Sequence, residues 1–367
     1  MNNSKFVFAN REAAQKSVKT AGSSRHSDIL RRLLRSKSTL SAIFCICLIT
    51  FLAVFGPGMN RWAYNEPRTD LRYMPPRIAG VERFGIFDGS RILKRRRAAN
   101  LNDTSVYPAG SVLRVYPVFI EHGVELADAK VDVYLLNEAK NTYFWFGTDY
   151  LGRDLWTRLW MGTRLSLFIA LTSVFFNTVI GTVYGAVCGY YGGKTDLLLM
   201  RVTEILDSLP QIVLFTLLII IIGPGAWPII AALCIRGWTG TARLVRAQFL
   251  RYKGFEFVLA ARTIGAGDLR IITAHILPNA IGPVVTRAMA AIPGAIFIES
   301  FLAYLGLGVQ APEPSLGVLL ADGRQLLTEM PYQTFFPALV ISVLMISFNM
   351  LSIGLREALD PTRRGES

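Results

Sequence analysis

The chain has 367 residues, 52% of them hydrophobic, with a positive mean hydropathy and a formal net charge of +13. Its apolar residues come in long runs, which excludes a single large soluble core and indicates a polytopic membrane protein. Much of the charge sits where orientation in a bilayer requires it, and no RNA-recognition signature or aromatic-interleaved basic strand accompanies it, so nucleic acid is not an expected partner.

Residues 1–38 carry nine Lys/Arg against two acids, Glu12 and Asp28, and read as a basic cytoplasmic tail. The apolar run 39–57 begins too far into the chain for a signal peptide, and no small-residue cleavage site precedes Asn60 and Arg61. It reads as a retained first span. Residues 58–145 then form a polar insertion with nearly balanced charge. Val, Tyr and Ile in 111–121 and 130–137, on either side of His122-Gly123, predict a small β-rich domain there. The run Lys94-Arg95-Arg96-Arg97 reads as a solvated face, or as a contact with anionic lipid or a partner.

The segment FGTDYLGRDLWTRLWMGTRLSL, 146–167, places Leu151, Leu155 and Leu159 at helical spacing beside Trp156 and Trp160. That pattern predicts an interfacial helix on the outer leaflet, with Asp149 and Arg153 as a local exposed ion pair. Further spans are expected at 164–188, 205–223, 226–246, 280–305 and 333–355, the fourth interrupted by Arg236. In the second, Gly181, Gly185, Gly189 and Gly193 recur every four residues, a stripe that lets another helix approach at backbone distance. The tetrapeptide Gly192-Gly193-Lys194-Thr195 is no phosphate-binding loop: Cys188 stands where the first glycine is needed, and a membrane span precedes it. Arg201, Glu204 and Asp207 read as local ion pairs.

Residues 236–275 carry seven cations against Glu256 and Asp268, so this loop is cytoplasmic, which requires an even number of preceding spans. Six spans with both termini cytoplasmic follow. Within the loop, LAARTIGAGDLRIITAHILPN (259–279) has a helix-favouring run at Ala260-Ala261, a break at Gly265 and Gly267, and, after Asp268, a second amphipathic run from Leu269 to Leu277 that Pro278 is expected to end. Glu299, in the fifth apolar segment, costs on the order of 3 kcal/mol at bilayer depth, so it should face a water-filled path or a group on a neighbouring helix. Gly306 and Gly308 should end that helix, and Pro312 and Pro314 enforce an extended external loop. Cys45, Cys47, Cys188 and Cys234 read as buried structural thiols, and His26, His122 and His275 lack ligand spacing, so no metal is expected.

Four of these stretches carry a resemblance. GTDYLGRD (147–154), the Ala-Ala-x3-Gly run followed by Leu277-Pro278, the stretch from Ser300 to Gly317, and FNMLSIGLREALDP (348–361) are similar, in this order, to the dipeptide/oligopeptide ABC transporter permease family, as its C-type subunit. The resemblance covers roughly 146–361 and leaves about 75–143 outside it. It implies an all-α, six-helix type I importer permease, with a core at 146–355, a coupling loop at about 250–279 and a cytoplasmic tail at 356–367. It further implies a homologous second permease, two ATPase subunits that bind ATP and Mg, and an extracytoplasmic solute-binding protein. In that family the loop holding Ala260, Ala261, Gly265, Gly267, Asp268, Leu277 and Pro278 docks on the ATPase, and this chain carries out no covalent chemistry. Nickel or glutathione-like peptides are alternative cargoes of the same family, though no His/Met-rich path is present. A membrane-anchored receptor would leave five spans without a purpose. An intramembrane enzyme would need a Ser/His, paired-Asp or HExxH constellation that the spans lack.

Overall fold

A computed structural model describes residues 33–359, so the greater part of the basic tail, and Asp360 and Pro361 at the other end, lie outside the described residues. The first helix, α1 (Lys37–Phe55), is capped by the Ser36 side chain, which accepts from the Thr39 N–H. The longest, α2 (Leu155–Tyr191), has 37 residues and is therefore about 55 Å long, well beyond a hydrocarbon core of ~30 Å. It defines two ends of the bundle, one at Leu155 beside the polar insertion and one at Tyr191 beside the basic loop.

Among the described residues, four helices are long and apolar enough to cross a membrane: Lys37–Met59, Leu155–Tyr191, Asp268–Tyr304 and Tyr332–Leu359. The expected third span is a bent pair, α3 (Gly193–Ser208) and α4 (Gln211–Ile222), meeting at 80° across Leu209-Pro210. Proline at 210 cannot donate to the preceding turn, and this is where the rod breaks. The expected fourth span is divided into α5 (Ala226–Arg236) and α6 (Thr239–Tyr252) at Gly237-Trp238. The six-fold expectation thus meets four spans of continuous helix among the described residues, or five with the bent pair. After a short helix α7 (Glu256–Thr263) come α8 (Leu277–Tyr304), α9 (Leu316–Arg324) and α10 (Tyr332–Leu359).

Two departures concern α2. The segment expected as a separate interfacial helix is the start of this one rod, and Leu155, Leu159 and Trp160 are buried in the main core, not laid on a lipid surface. The core joins them to Ile229 and Ile230 of α5, Ile292 and Ile296 of α8, and Leu344 of α10. The glycine stripe holds at three of four positions. A Cβ on Gly181 would meet the Trp238 carbonyl oxygen at 2.7 Å, one on Gly185 would overlap the Ala242 carbonyl, and one on Gly189 would meet Phe249 Cβ at 2.6 Å. Backbone-distance packing of α2 on α6 depends on these absences. Gly193 does not belong to the stripe: the helix has already ended at Tyr191, and Gly193 opens α3 with no neighbour within 4 Å.

The insertion folds around a four-stranded antiparallel sheet of β1 (Ser90–Arg97), β2 (Val112–Val115), β3 (Phe119–Glu121) and β4 (Val124–Asp132). Strand β4 pairs with all three others, in register Ser90↔Asp132 with β1 and Phe119↔Leu126 with β3. His122 and Gly123 both take positive φ, 51° and 76°, the geometry that a two-residue hairpin turn needs. Ala127, Ala129 and Val131 alternate onto the buried face and pack with Met74, Tyr134 and Phe144. Residues 133–136, expected as strand, form one helical turn because the Asp132 carboxylate accepts from the Tyr134 and Leu135 N–H groups. The basic run at 94–97 ends β1 with all four side chains exposed, and Arg95 pairs with Glu121. Cys188 is buried, whereas Cys47 on α1 is exposed, against the expectation for the thiols.

Candidate functional site

The basic loop is built from two helices and a turn of defined geometry. Helix α7 ends at Thr263, and Gly265 follows at φ +82°. The Gly265 N–H donates to the Arg262 carbonyl (2.9 Å) and the Ala266 N–H to the Ala261 carbonyl (3.0 Å), the paired bonds of a Schellman stop. Glycine is needed here for its backbone angles alone, since a Cβ would find open space. Gly267 then takes the N-cap position, and Asp268 places its carboxylate in the first turn of the next helix. That carboxylate accepts from the Tyr190 hydroxyl at the end of α2 (2.5 Å), while Arg262 lies over the Tyr190 ring at 5.4 Å.

The second run does not end at Pro278. A single helical turn (Asp268–Arg270) leads through a π-helical stretch (Ile271–Ile276) directly into α8, with Pro278 in its first turn. In the wider π turn the Leu277 N–H donates to the Ile272 carbonyl, and the Asn279 side chain donates to the His275 carbonyl at 2.7 Å. Proline's missing donor therefore falls where the ladder is already rearranged, and the helix continues. One rod, Asp268–Tyr304, joins the loop to the middle of the bundle.

Beneath the loop, Ala261, Val258, Ile271 and Ile276 pack with Ala186 and Tyr190 of α2 and with Val245 and Phe249 of α6. Ala260 and Leu259 lie on the opposite, exposed side. Ile264 and Leu269 are also exposed, at 85% and 75%, as is Phe257. Sequence reasoning passed over Ile264 and took Leu269 only as the start of the amphipathic run. The available signal was two large aliphatics flanking a glycine turn in an otherwise basic stretch. Arg246 of α6 pairs with Asp196 of α3 (2.5 Å). Arg201 pairs locally with Glu204 (2.6 Å), as expected, whereas Asp207 pairs across the bundle with Arg236 of α5 (3.5 Å) and Arg243 of α6.

At the other end, the GTDYLGRD stretch knits the insertion to the bundle. Thr148 Oγ1 donates to the Leu71 carbonyl (2.6 Å) and accepts from the Met74 N–H (2.8 Å). Gly152 packs so closely on residue 68 that a Cβ would overlap its carbonyl. Asp149, expected in an exposed pair, is buried: Oδ2 lies 2.8 Å from Arg153 Nε and 3.3 Å from Arg158 Nε. Arg158 also reaches Asp322 of α9 at 4.0 Å. Asp154 caps α2, accepting from the N–H and hydroxyl of Thr157 and from Asn60. Burial nevertheless pushes its carboxyl up to about 6, outweighing those hydrogen bonds.

Glu299 is fully buried between α8, α2 and α9. Its Oε2 accepts from Ser166 Oγ at 2.9 Å, and Ser166 Oγ in turn accepts from the Leu316 N–H at 3.2 Å, at the start of α9. No group of three or more metal-ligating side chains occurs among the described residues.

These features coincide with known proteins. Residues 181–365 match the family of binding-protein-dependent transport system inner membrane components. The chain is 34% identical to the dipeptide transport system permease protein DppC of Lactococcus lactis subsp. cremoris over 339 residues, 91% of this chain and 90% of that protein. It is 47% identical over 221 residues to the DppC of Bacillus subtilis, covering 60% of this chain and 69% of the relative. With the B. subtilis oligopeptide transport system permease protein OppC the identity is 44% over 220 residues, covering 60% and 72%. The chain is a multi-pass membrane permease and belongs to this family, in its dipeptide/oligopeptide ABC permease branch. The match to the Lactococcus relative also runs across the insertion, so residues 75–143 fall within its aligned span and not outside the resemblance.

Proposed function

We propose that this chain forms half of the membrane pathway of an ATP-driven importer of dipeptides or oligopeptides in the cell membrane. Its partners are a homologous second permease, two ATPase subunits that carry ATP and Mg, and an extracytoplasmic solute-binding protein. The names of its relatives support the peptide cargo. Six crossings follow if α3–α4 and α5–α6 each count as one broken span, with both termini and the basic loop cytoplasmic and the insertion and α9 outside. The seven cations of 236–275 support that orientation.

The observation that carries the reading is the loop's exposed apolar ridge of Leu259, Ile264 and Leu269, backed by a core shared with α2 and α6. An apolar ridge beside basic residues fits a protein surface better than water. A push on it reaches α8 directly, because helical backbone continues from Asp268 to Tyr304 through the π turn. ATP-driven closure of the ATPase pair would thereby tilt α2, α6 and α8 together between inward- and outward-open states. Within this frame Ala260, Gly265, Gly267 and Asp268 shape the docking turn, Ala261 and Leu277 seat it on the bundle, Pro278 opens α8 behind it, and Glu299 acts as an anchor for α9 more than as a path-lining group.

Replacing Ile264 and Leu269 together by Asp, or Gly265 by Asp, should leave the permease inserted but abolish co-purification of the ATPase and peptide uptake. Full uptake and co-purification in both variants would refute the docking role.

A further inference from the structure

One cavity of roughly 800 Å³ lies beside the middle of α2, walled by α6, α8 and the α3–α4 bend. Its charged lining comprises Glu204, Asp207, Arg236, Arg243 and Arg287. Four of these are accounted for. Asp207 is shared by Arg236 and Arg243 and accepts from Thr239 Oγ1 at 2.8 Å. Glu204 is matched by Arg201 at 2.6 Å. Arg287 alone has no ion pair or hydrogen bond among the described residues.

Its position makes that unusual. Arg287 lies on α8, ten residues beyond Leu277 and hence about 15 Å along this apolar helix of 28 residues, with its side chain exposed toward the cavity. A guanidinium at such depth is found facing a water-filled space or a counter-charge. Its head rests against Gly240 at the start of α6, where any Cβ would displace it. The cavity wall thus holds a positioned guanidinium with no ion pair among the described residues.

Resting on the peptide-importer reading above, we propose that Arg287 receives the C-terminal carboxylate of the peptide in transit. An importer of peptides differing in side chains can rely only on groups that all of them share. The terminal carboxylate is one, and a guanidinium matches it with two parallel N–H···O bonds. The site therefore selects for a free α-carboxylate and is indifferent to sequence.

The test uses the complete reconstituted importer and a peptide whose C-terminally amidated form the wild type still takes up. Uptake of free-acid and amidated forms is measured for the wild type, Arg287→Gln, Arg287→Lys and Gly240→Ala, and each variant is expressed relative to wild type for each peptide. That ratio cancels whatever the binding protein contributes. Arg287→Gln should lose roughly tenfold more uptake of the free acid than of the amide. Gly240→Ala should show the same bias with Arg287 still present, and Lys should fall between. Equal losses for both peptides in an intact complex would overturn the assignment. Dissociation of Arg287→Gln from the second permease would overturn it in favour of an acid on that subunit. If no peptide in either form were taken up by the wild type, the peptide reading itself would fall instead.

Discussion

Gly189→Ala tests whether the contact of α2 with α6 is set at backbone distance where the docking loop is anchored. The added Cβ would lie 2.6 Å from Phe249 Cβ and 2.7 Å from the Arg246 carbonyl oxygen, whereas ordinary contact begins near 3.4 Å. Neither neighbouring atom can rotate away, since one is backbone and the other is the first atom of a side chain. The helices must therefore part. Overpacking of this kind costs up to about 3 kcal/mol, and alanine's better helix propensity returns about 1. The net loss is about 2 kcal/mol, a shift of roughly thirtyfold in the folded population. Gly282→Ala in α8 is the control, because its nearest atom is 3.5 Å away and the same change should be neutral or stabilising. Thermal unfolding of the purified permease in lipid nanodiscs reads the stability, and ATPase co-purification reads the loop, which shares Phe249 with this contact. If Gly189→Ala proved as stable as Gly282→Ala, with co-purification unchanged, the close approach would not be holding the two helices.

Three further outcomes are expected. Glu299→Gln should preserve the acceptor for Ser166 and leave assembly intact, while Glu299→Leu should strand the Ser166 hydroxyl, loosen α9 and cost about 1–3 kcal/mol; equal thermal stability of the two variants would remove the anchor role. Asp154 has a raised carboxyl, so the folded chain holds a proton that the unfolded chain releases. Its contribution is complete below the ordinary 3.8 and is lost as pH rises through about 6, by up to about 3 kcal/mol. Asp154→Asn keeps the cap and should flatten the stability profile across that interval, and an unchanged slope would contradict it. Asn102, exposed in the insertion, replaced by Cys should react with an impermeant thiol reagent on intact cells stripped of wall or outer membrane, with Cys47→Ser in the background; labelling only after lysis would invert the orientation.

Hydropathy and composition by themselves determined the membrane class and four of the apolar rods, because those signals are local: about 20 apolar residues suffice to mark a span. The Gly265 turn was equally legible, since a helix stop of this kind is written in two or three adjacent residues. Tertiary structure decided what depends on residues far apart. Asp149 looked like half of an exposed pair because only Arg153 is near it in sequence, yet residues 68–75 cover it and Arg158 completes its site. Pro278 looked like a stop because the rule for proline assumes an ordinary α-ladder, and the π turn ahead of it removes that premise. The stripe at Gly181, Gly185 and Gly189 declared that something approaches closely, but only the fold named α6 as the neighbour and excluded Gly193. The lone guanidinium of Arg287 was invisible in the sequence for the same reason: whether a charge is paired is a property of the space around it, and that space is walled by four segments spread from Ser173 to Ile298.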